Sequence, residues 1–397
     1  MDLDGVRSSI DIIKGGDGHN ISGGELDHPR SNHYYFFRHL FKAVLLFTLV
    51  TIACFVLFNQ GGAGGSPFQF LPTSFYNFTF SHASNSTAPA AGMEEVVGLE
   101  QLLKRAATPD KTVILSPLNE AWIEKDSIFD LFLESFRIGN QTAGLLKHLI
   151  VVALDQKAFD HCLGLHLNCY FLKTQGVDFS GEAHFMSADY LNIVWRKIDF
   201  LRTVLETGYS FIFTDADIMW FRNPFQQFYS DSHFQVACDK FRGNPWDLNN
   251  APNTGLMYVK SSNQTIQFYK YWYKSREIYP AKHDQDAFNM IKRDPVVREI
   301  GLQIKFLDTA YFGGFCQSSR NFDLLCTMHA NCCAGLDNKI HDLKILLDDW
   351  KKYISAFTEN HDNNISQSHP ISWSVPQSCG IAFLIHVNFE FWYQTNL

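Results

Sequence analysis

Residues 211–225 read FIFTDADIMWFRNPF, an apolar run interrupted by two carboxylates, Asp215 and Asp217. FIFTD has the length and aromatic content of a buried strand that ends on an acid. Spaced i and i+2, the acids are expected on one face of an extended chain. Two carboxylates so placed repel unless a positive charge sits between them. A hard divalent cation, Mn2+ or Mg2+, with a pyrophosphate beneath it meets that need. The alternative is a pair of solvated acids in a loop. It fits poorly with FIF before and IMWF after them, because buried carboxylates require partners.

Outward from this stretch, short apolar runs alternate with amphipathic ones. Strands are predicted at 112–116 (TVILS), 149–155 (LIVVALD), 169–172 (CYFL), 211–215 (FIFTD), 234–239 (FQVACD), 255–260 (GLMYVK) and 303–308 (QIKFLD). Helical patterns lie between them, notably SIFDLFLESFRIG and ADYLNIVWRKIDFLRTVLETG, the second stopped by Gly208. Such alternation predicts an α/β fold with a mixed, mostly parallel sheet flanked by helices and ligands at the strands' carboxyl ends. Phosphatases whose first Asp attacks phosphorus also use a strand-end Asp-x-Asp. There, Thr or Val follows the pair near the start of the domain, whereas here Ile-Met-Trp follows deep inside one.

The chain has 397 residues, of which 19% are charged and 15% aromatic, enough for a large core and opposed to global disorder. A net charge of −8 gives no support for nucleic-acid binding. Leu40 to Phe58 is apolar apart from Lys42, close to the length of a membrane span. Arg30, Arg38 and Lys42 lie on its N-terminal side and no Lys or Arg occurs from Ala43 to Leu103, so the N-terminus is expected in the cytosol. The expected organisation is a cytosolic tail (1–38), a transmembrane anchor (39–59), a Gly/Ser/Pro-rich stem (60–95), a catalytic domain (96–355) and a C-terminal extension (356–397). Five N-glycosylation sequons, at Asn77, Asn85, Asn140, Asn263 and Asn364, all follow the anchor, as do eight of the nine cysteines. Both agree with a lumenal, oxidising location. Adjacent Cys332 and Cys333 are expected to take separate partners.

Eight ordered segments give the chain a family likeness. They are LNEAWIEKDSIFDLFLESF (118–136), CYFLKTQGVDFSGEAHFM (169–186), DYLNIVWRKIDFL (189–201), FTDADIMWFRNPF (213–225), NTGLMYVKS (253–261), HDQDAFN (283–289), FLDTAYFGGFC (306–316) and CTMHANCCAGL (326–336). In these the chain resembles the plant nucleotide-diphospho-sugar transferases of glycosyltransferase family 77, type II Golgi membrane enzymes with a GT-A fold. The resemblance implies retaining transfer of a sugar, a pentose such as arabinose or xylose, from a UDP-linked donor to a cell-wall polysaccharide or glycoprotein. The competing expectation is a catalytically silent, membrane-tethered glycan-binding or scaffold subunit. Homo- or hetero-oligomerisation stays open.

Carried over by residue, the resemblance makes Asp217 a metal ligand, and Asp215 a ligand that also touches the donor ribose. His329, followed by Gly335 and Lys339, has the order of the late His that completes such sites, with Lys339 against the leaving phosphate. For His329, a core histidine and a zinc site of Cys326, His329, Cys332 and Cys333 are the alternatives. Asp286 is expected at the acceptor or the reacting centre, with Asp284 second; both also suit a helix N-terminus. Arg196 or Lys197 is expected to reach the diphosphate, and the other of the two to face solvent. Asn253 and Gly255 are expected at the donor sugar, where a small residue admits close backbone approach. Asn119 is a nucleotide-contact candidate. Trp195, Trp220 and Trp272 read as core rather than sugar platforms.

Overall fold

A computed structural model describes residues 91–124, 126–174, 186–363 and 372–380. The expected anchor, most of the stem, residues 381–397 and the sequons at Asn77, Asn85 and Asn364 lie outside these residues. Among the described residues no helix is long and apolar enough to cross a membrane.

The strands are β1 (Thr112–Leu118), β2 (Leu149–Ala153), β3 (Asn168–Phe171), β4 (Ser210–Thr214), β5 (Ile218–Trp220), β6 (Phe234–Lys240), β7 (Ala251–Val259), β8 (Ile304–Phe306), β9 (Phe312–Gly314) and β10 (Thr327–His329). The helices are α1 (Ala91–Ala106), α2 (Ile128–Ile138), α3 (Gln156–Gly164), α4 (Ala188–Glu206), α5 (Asn263–Ser275), α6 (Asp284–Ile291), α7 (Pro295–Ile300) and α8 (Leu336–Asn363). All seven strands predicted from sequence join one sheet, ordered β3-β2-β1-β4-β7-β6-β8. Only β7 runs against its neighbours; the other pairs are parallel. The mixed, mostly parallel α/β architecture is therefore as expected.

Why the central strands are apolar throughout is visible in their alternation. Ile114, Leu149, Val151 and Ile212 point into one core with α2, α3 and α8. Val113, Leu115, Ile150, Phe211 and Phe213 point into a second core with α1, α4, α5 and α6. A sheet covered on both faces must be apolar at every position. Trp195, Trp220 and Trp272 are all at most 7% exposed, so each is core, as expected. Local signals set the helix ends. Ser187 caps α4 by accepting from the Tyr190 N–H, and Gly208 leaves it with φ +83°, a left-handed conformation that glycine adopts without a Cβ penalty.

Three disulfides tie the loops: Cys162–Cys169, Cys316–Cys332 and Cys333–Cys379, while Cys238 and Cys326 are buried thiols. Cys332 and Cys333 thus take separate partners. The zinc reading fails, since both of their sulfurs are used. Residues 372–380 dock on α8. Asp342 accepts the backbone N–H groups of Gln377, Ser378 and Cys379, Asp349 accepts that of Ser374, and Trp373 stacks on Phe322 with centroids 3.8 Å apart.

Candidate active site

The carboxyl ends of β1, β2, β4 and β6 open on one edge of the sheet, and β7 starts there. β4 ends at Thr214, and Asp215-Ala216-Asp217 forms a tight turn into β5, with the Ile218 N–H on the Asp215 carbonyl at 3.2 Å. The acids therefore converge through a turn and not, as the spacing suggested, on one face of an extended strand. The Asp215 N–H donates to the Gly255 carbonyl at 2.8 Å, which fixes the turn against β7.

How the late histidine arrives is a matter of a second, small sheet ordered β5-β10-β9. β10 pairs antiparallel with β5, setting His329 opposite Ile218, and the Ala330 N–H donates to the Asp217 carbonyl at 3.0 Å. His329 Nε2 then lies 3.2 Å from Asp217 Oδ1, and Lys339 Nζ from α8 lies 2.6 Å from Asp217 Oδ2. One donor atom each from Asp215, Asp217 and His329 lies within 4.8 Å of the others. Burial raises the Asp215 carboxyl to about 6, with Lys197 opposing and Asp217 adding to the rise. Burial acts in the same direction on Asp217, but Lys339 and His329 outweigh it and hold this acid below the usual carboxylate range.

These residues fit a divalent cation. Asp217 Oδ1 is buried and, apart from the charge contact with His329 Nε2 at 3.2 Å, accepts no well-directed hydrogen bond, a shortfall that a cation would offset. Room for the cluster is kept by Gly255. A Cβ there would lie 2.7 Å from His329 Cε1 and 2.8 Å from both Asn253 Oδ1 and Asp215 Oδ2. The expected close approach at Gly255 is thus made by the cluster itself. β7 bulges at this point: its register against β6 jumps between the Val236–Met257 and Ala237–Asn253 pairs, leaving Thr254, Gly255 and Leu256 without a partner on β6.

Beside the cluster, Lys197 of α4 pairs with Asp284 Oδ2 at 2.7 Å, and the Thr254 hydroxyl donates to the same oxygen at 3.1 Å. Burial would raise Asp284, yet Lys197 and His283 bring it down to about 2. Asp284 is therefore a buried, ionised brace. The N-cap of α6 is His283, so Asp284 and Asp286 sit in the first turn, where they complement the helix dipole. Asp286 is half-exposed, 3.5 Å from His283 Nε2 and 3.7 Å from Lys282 Nζ. Arg196 turns away, to Asp199 at 3.1 Å and the Lys173 carbonyl at 3.3 Å; of the basic pair only Lys197 reaches a site acid. Asn119 is buried just beyond β1, next to the loop that Asp155 ties by accepting the Glu120 N–H at 2.6 Å.

Three residues at this edge, Asp239, Gln285 and Tyr190, had no part in the expectations. Asp239, ending β6, accepts amide N–H groups from Asn253 (2.8 Å), Asn331 (2.8 Å) and Gln285 (3.2 Å). Gln285 also accepts the Thr254 N–H at 3.0 Å, joining α6 to the β7 bulge. Burial, then the charges of Asp284, Asp215, Asp286 and Asp217, push the Tyr190 hydroxyl far above its usual pKa. The hydroxyl therefore stays protonated. The available signals were the acid closing FQVACD, the polar residue between two acids in HDQDAFN, and the tyrosine opening DYLNIVW.

Residues 144–343 match the family model described as nucleotide-diphospho-sugar transferase. The uncharacterized Arabidopsis thaliana protein At4g15970 is 47% identical over 287 residues, which span 72% of this chain and 74% of that one. The Arabidopsis thaliana beta-arabinofuranosyltransferase RAY1 is 25% identical over 173 residues, 42% of this chain and 30% of its own length. Among solved structures, a glycosyltransferase involved in glycosylating the PBCV-1 major capsid aligns with TM-score 0.37 and 12% identity, over 59% of this chain and 98% of that one.

Proposed function

Because the chain belongs to the nucleotide-diphospho-sugar transferase family and is a glycosyltransferase, we propose that it moves a pentose, with retention, from a UDP-linked donor to a cell-wall polysaccharide or glycoprotein. The observation that carries the metal-dependent part is the convergence of Asp215, Asp217 and His329 around the Cβ-free surface of Gly255. Asp215, Asp217 and His329 would hold a Mn2+ or Mg2+ ion, which would supply positive charge against the donor diphosphate as it leaves. The mixed oxygen and imidazole donor set suits Mn2+ at least as well as Mg2+. Lys339, within reach of the same acid, adds a second positive charge at the departing phosphate. Lys197 holds Asp284, which positions the bulge of β7. Asn253, Gln285 and Asp239 form a hydrogen-bonded polar wall suited to sugar hydroxyls. Asp286, half-exposed and ionisable, faces the side from which an acceptor enters.

Similarity to an arabinosyltransferase supports the pentose, and the five sequons and three disulfides support a lumenal, type II Golgi placement. The purified chain is tested with a panel of nucleotide sugars, with and without Mn2+. Metal-dependent donor hydrolysis or transfer, abolished by Asp217→Ala and His329→Ala, is the expected result. Binding of no donor at all would return the chain to the tethered-scaffold reading.

A further inference from the structure

Two sequons lie in the described fold, and they differ in their surroundings. Asn263 is exposed at the start of α5, while Asn140 is exposed just past the end of α2. In both, the threonine that completes the sequon is 0% exposed: Thr142 Oγ1 donates to the Phe136 carbonyl at 2.7 Å and Thr265 Oγ1 to the Lys260 carbonyl at 2.8 Å. Those hydroxyls are reachable only before the domain closes, so any sugar is attached to the nascent chain and the fold forms around it.

Asn140 also opens on a cavity of about 390 Å³ whose lining shares no residue with the acid cluster. Ile138, Trp350 and Tyr353 supply apolar walls, and Arg222 and Asp323 supply polar ones. The polar groups are held in place. Arg222 donates to the Phe322 and Leu325 carbonyls at 2.8 and 3.0 Å and stacks over Trp350, while the Tyr353 hydroxyl donates to Asp323. The backbone of Asn140 is pinned between the Phe221 carbonyl and the Asn223 N–H, at 2.8 and 3.1 Å, so its side chain leaves from a fixed point on the rim. Aromatic faces beside anchored hydrogen-bonding groups, in a volume within the roughly 300–1,000 Å³ of small-molecule sites, make a pocket for one amphipathic ring.

We propose that Asn140 carries an N-linked glycan whose first N-acetylglucosamine packs in this pocket, making the sugar part of the fold. The inference rests on the lumenal placement proposed above. The chain is produced through the secretory pathway of mammalian cells and treated with peptide-N-glycosidase F, native and denatured, with site occupancy read by peptide mass. Asn140 is expected to be occupied, and released at least ten-fold more slowly in the native than in the denatured protein. Tyr353→Ala, which opens the pocket but leaves the sequon, is expected to remove most of that protection. Occupancy at Asn263 with none at Asn140 overturns the inference and leaves the lumenal reading standing. Modification at other sequons with none at Asn140 likewise overturns only the inference, whereas a chain with none of its five sequons modified overturns both. Equal native and denatured release at Asn140, or protection unaltered in Tyr353→Ala, overturns the packing.

Discussion

Gly255 shows how one missing methyl decides whether a site exists. Its α-carbon faces His329, Asn253 and Asp215 at once, so in Gly255→Ala the new Cβ would sit 2.7–2.8 Å from all three. A displacement approaching 1 Å in a catalytic constellation costs on the order of 100-fold in rate. Metal-dependent turnover of Gly255→Ala is therefore expected to fall by about that factor. Gly98→Ala, where a Cβ meets nothing within 4 Å, should leave turnover unchanged. Equal activity of the two variants, measured at saturating donor, would refute the role given to Gly255. Lys197 poses a different residue-scale question. Its partner Asp284 is 2% exposed and ionised, and removing one half of a buried pair typically costs about 3–5 kcal/mol. Lys197→Ala should lose stability in that range by denaturant titration, and Asp284→Asn added to it should recover part of the loss. A double variant no more stable than the single one would show that the uncompensated charge is not the cause.

At the scale of elements, α8 and the segment 372–380 depend on Asp342. This carboxylate is 0% exposed and gathers three consecutive backbone N–H groups from residues 377–379, the arrangement of a helix N-cap. Burial works to raise its pKa, but the His341 contact and those N–H groups outweigh it, so the folded value is depressed. A depressed carboxylate contributes stability that is present above its unfolded pKa of about 3.9 and is lost as pH falls through the folded value. Asp342→Asn should therefore lower the melting temperature near neutral pH, by an amount equivalent to about 1–2 kcal/mol. The gap between wild type and variant should narrow below about pH 4. A gap that is constant down to pH 3 would sink the electrostatic part of this account. Elements also mark where sequence reasoning succeeded and where it stopped. The central strands β1, β2 and β4 were legible because they are buried on both faces and carry nearly continuous apolar runs, whereas the edge strand β3 is only half-buried. β5, β9 and β10 span three residues each, too short to carry a period, and the β5–β10 pairing joins residues more than 100 positions apart. The turn at Asp215 was hidden for a related reason. FIFT and IMW are both strand-like, and nothing local says that the chain folds back between them. Asp239 and Gln285 escaped because what matters is the partners they gather, from β7, α6 and the loop after β10.

For the molecule as a whole, the acid pair was recognisable in the linear chain, whereas the assembly around it is non-local. His329 and Lys339 reach Asp217 across 112 and 122 positions, and no backbone ladder of the main sheet holds them there. The small β5–β10 ladder and two disulfides secure that distant segment. Cys316–Cys332 and Cys333–Cys379 tether its middle, and Asn331 beside them donates to Asp239 while accepting the Cys316 N–H at 3.0 Å. In the chain-entropy account, a cross-link closing the 46-residue separation of Cys333–Cys379 is worth about 4 kcal/mol. Cys333→Ser/Cys379→Ser should accordingly lower unfolding free energy by about 2–4 kcal/mol. Because that bridge also anchors the start of α8, where Lys339 lies, the loss should fall unevenly on function. Under mild conditions where the double variant is still folded by circular dichroism, its Mn2+-dependent donor binding should weaken more than ten-fold. Cys162→Ser/Cys169→Ser, which frees α3 from β3 at the far edge of the sheet, should lose stability but keep donor affinity within about two-fold, since additivity holds between distant, unconnected sites. If both pairs of substitutions weaken donor binding alike, the disulfides hold up the whole domain rather than the arm that completes the metal site.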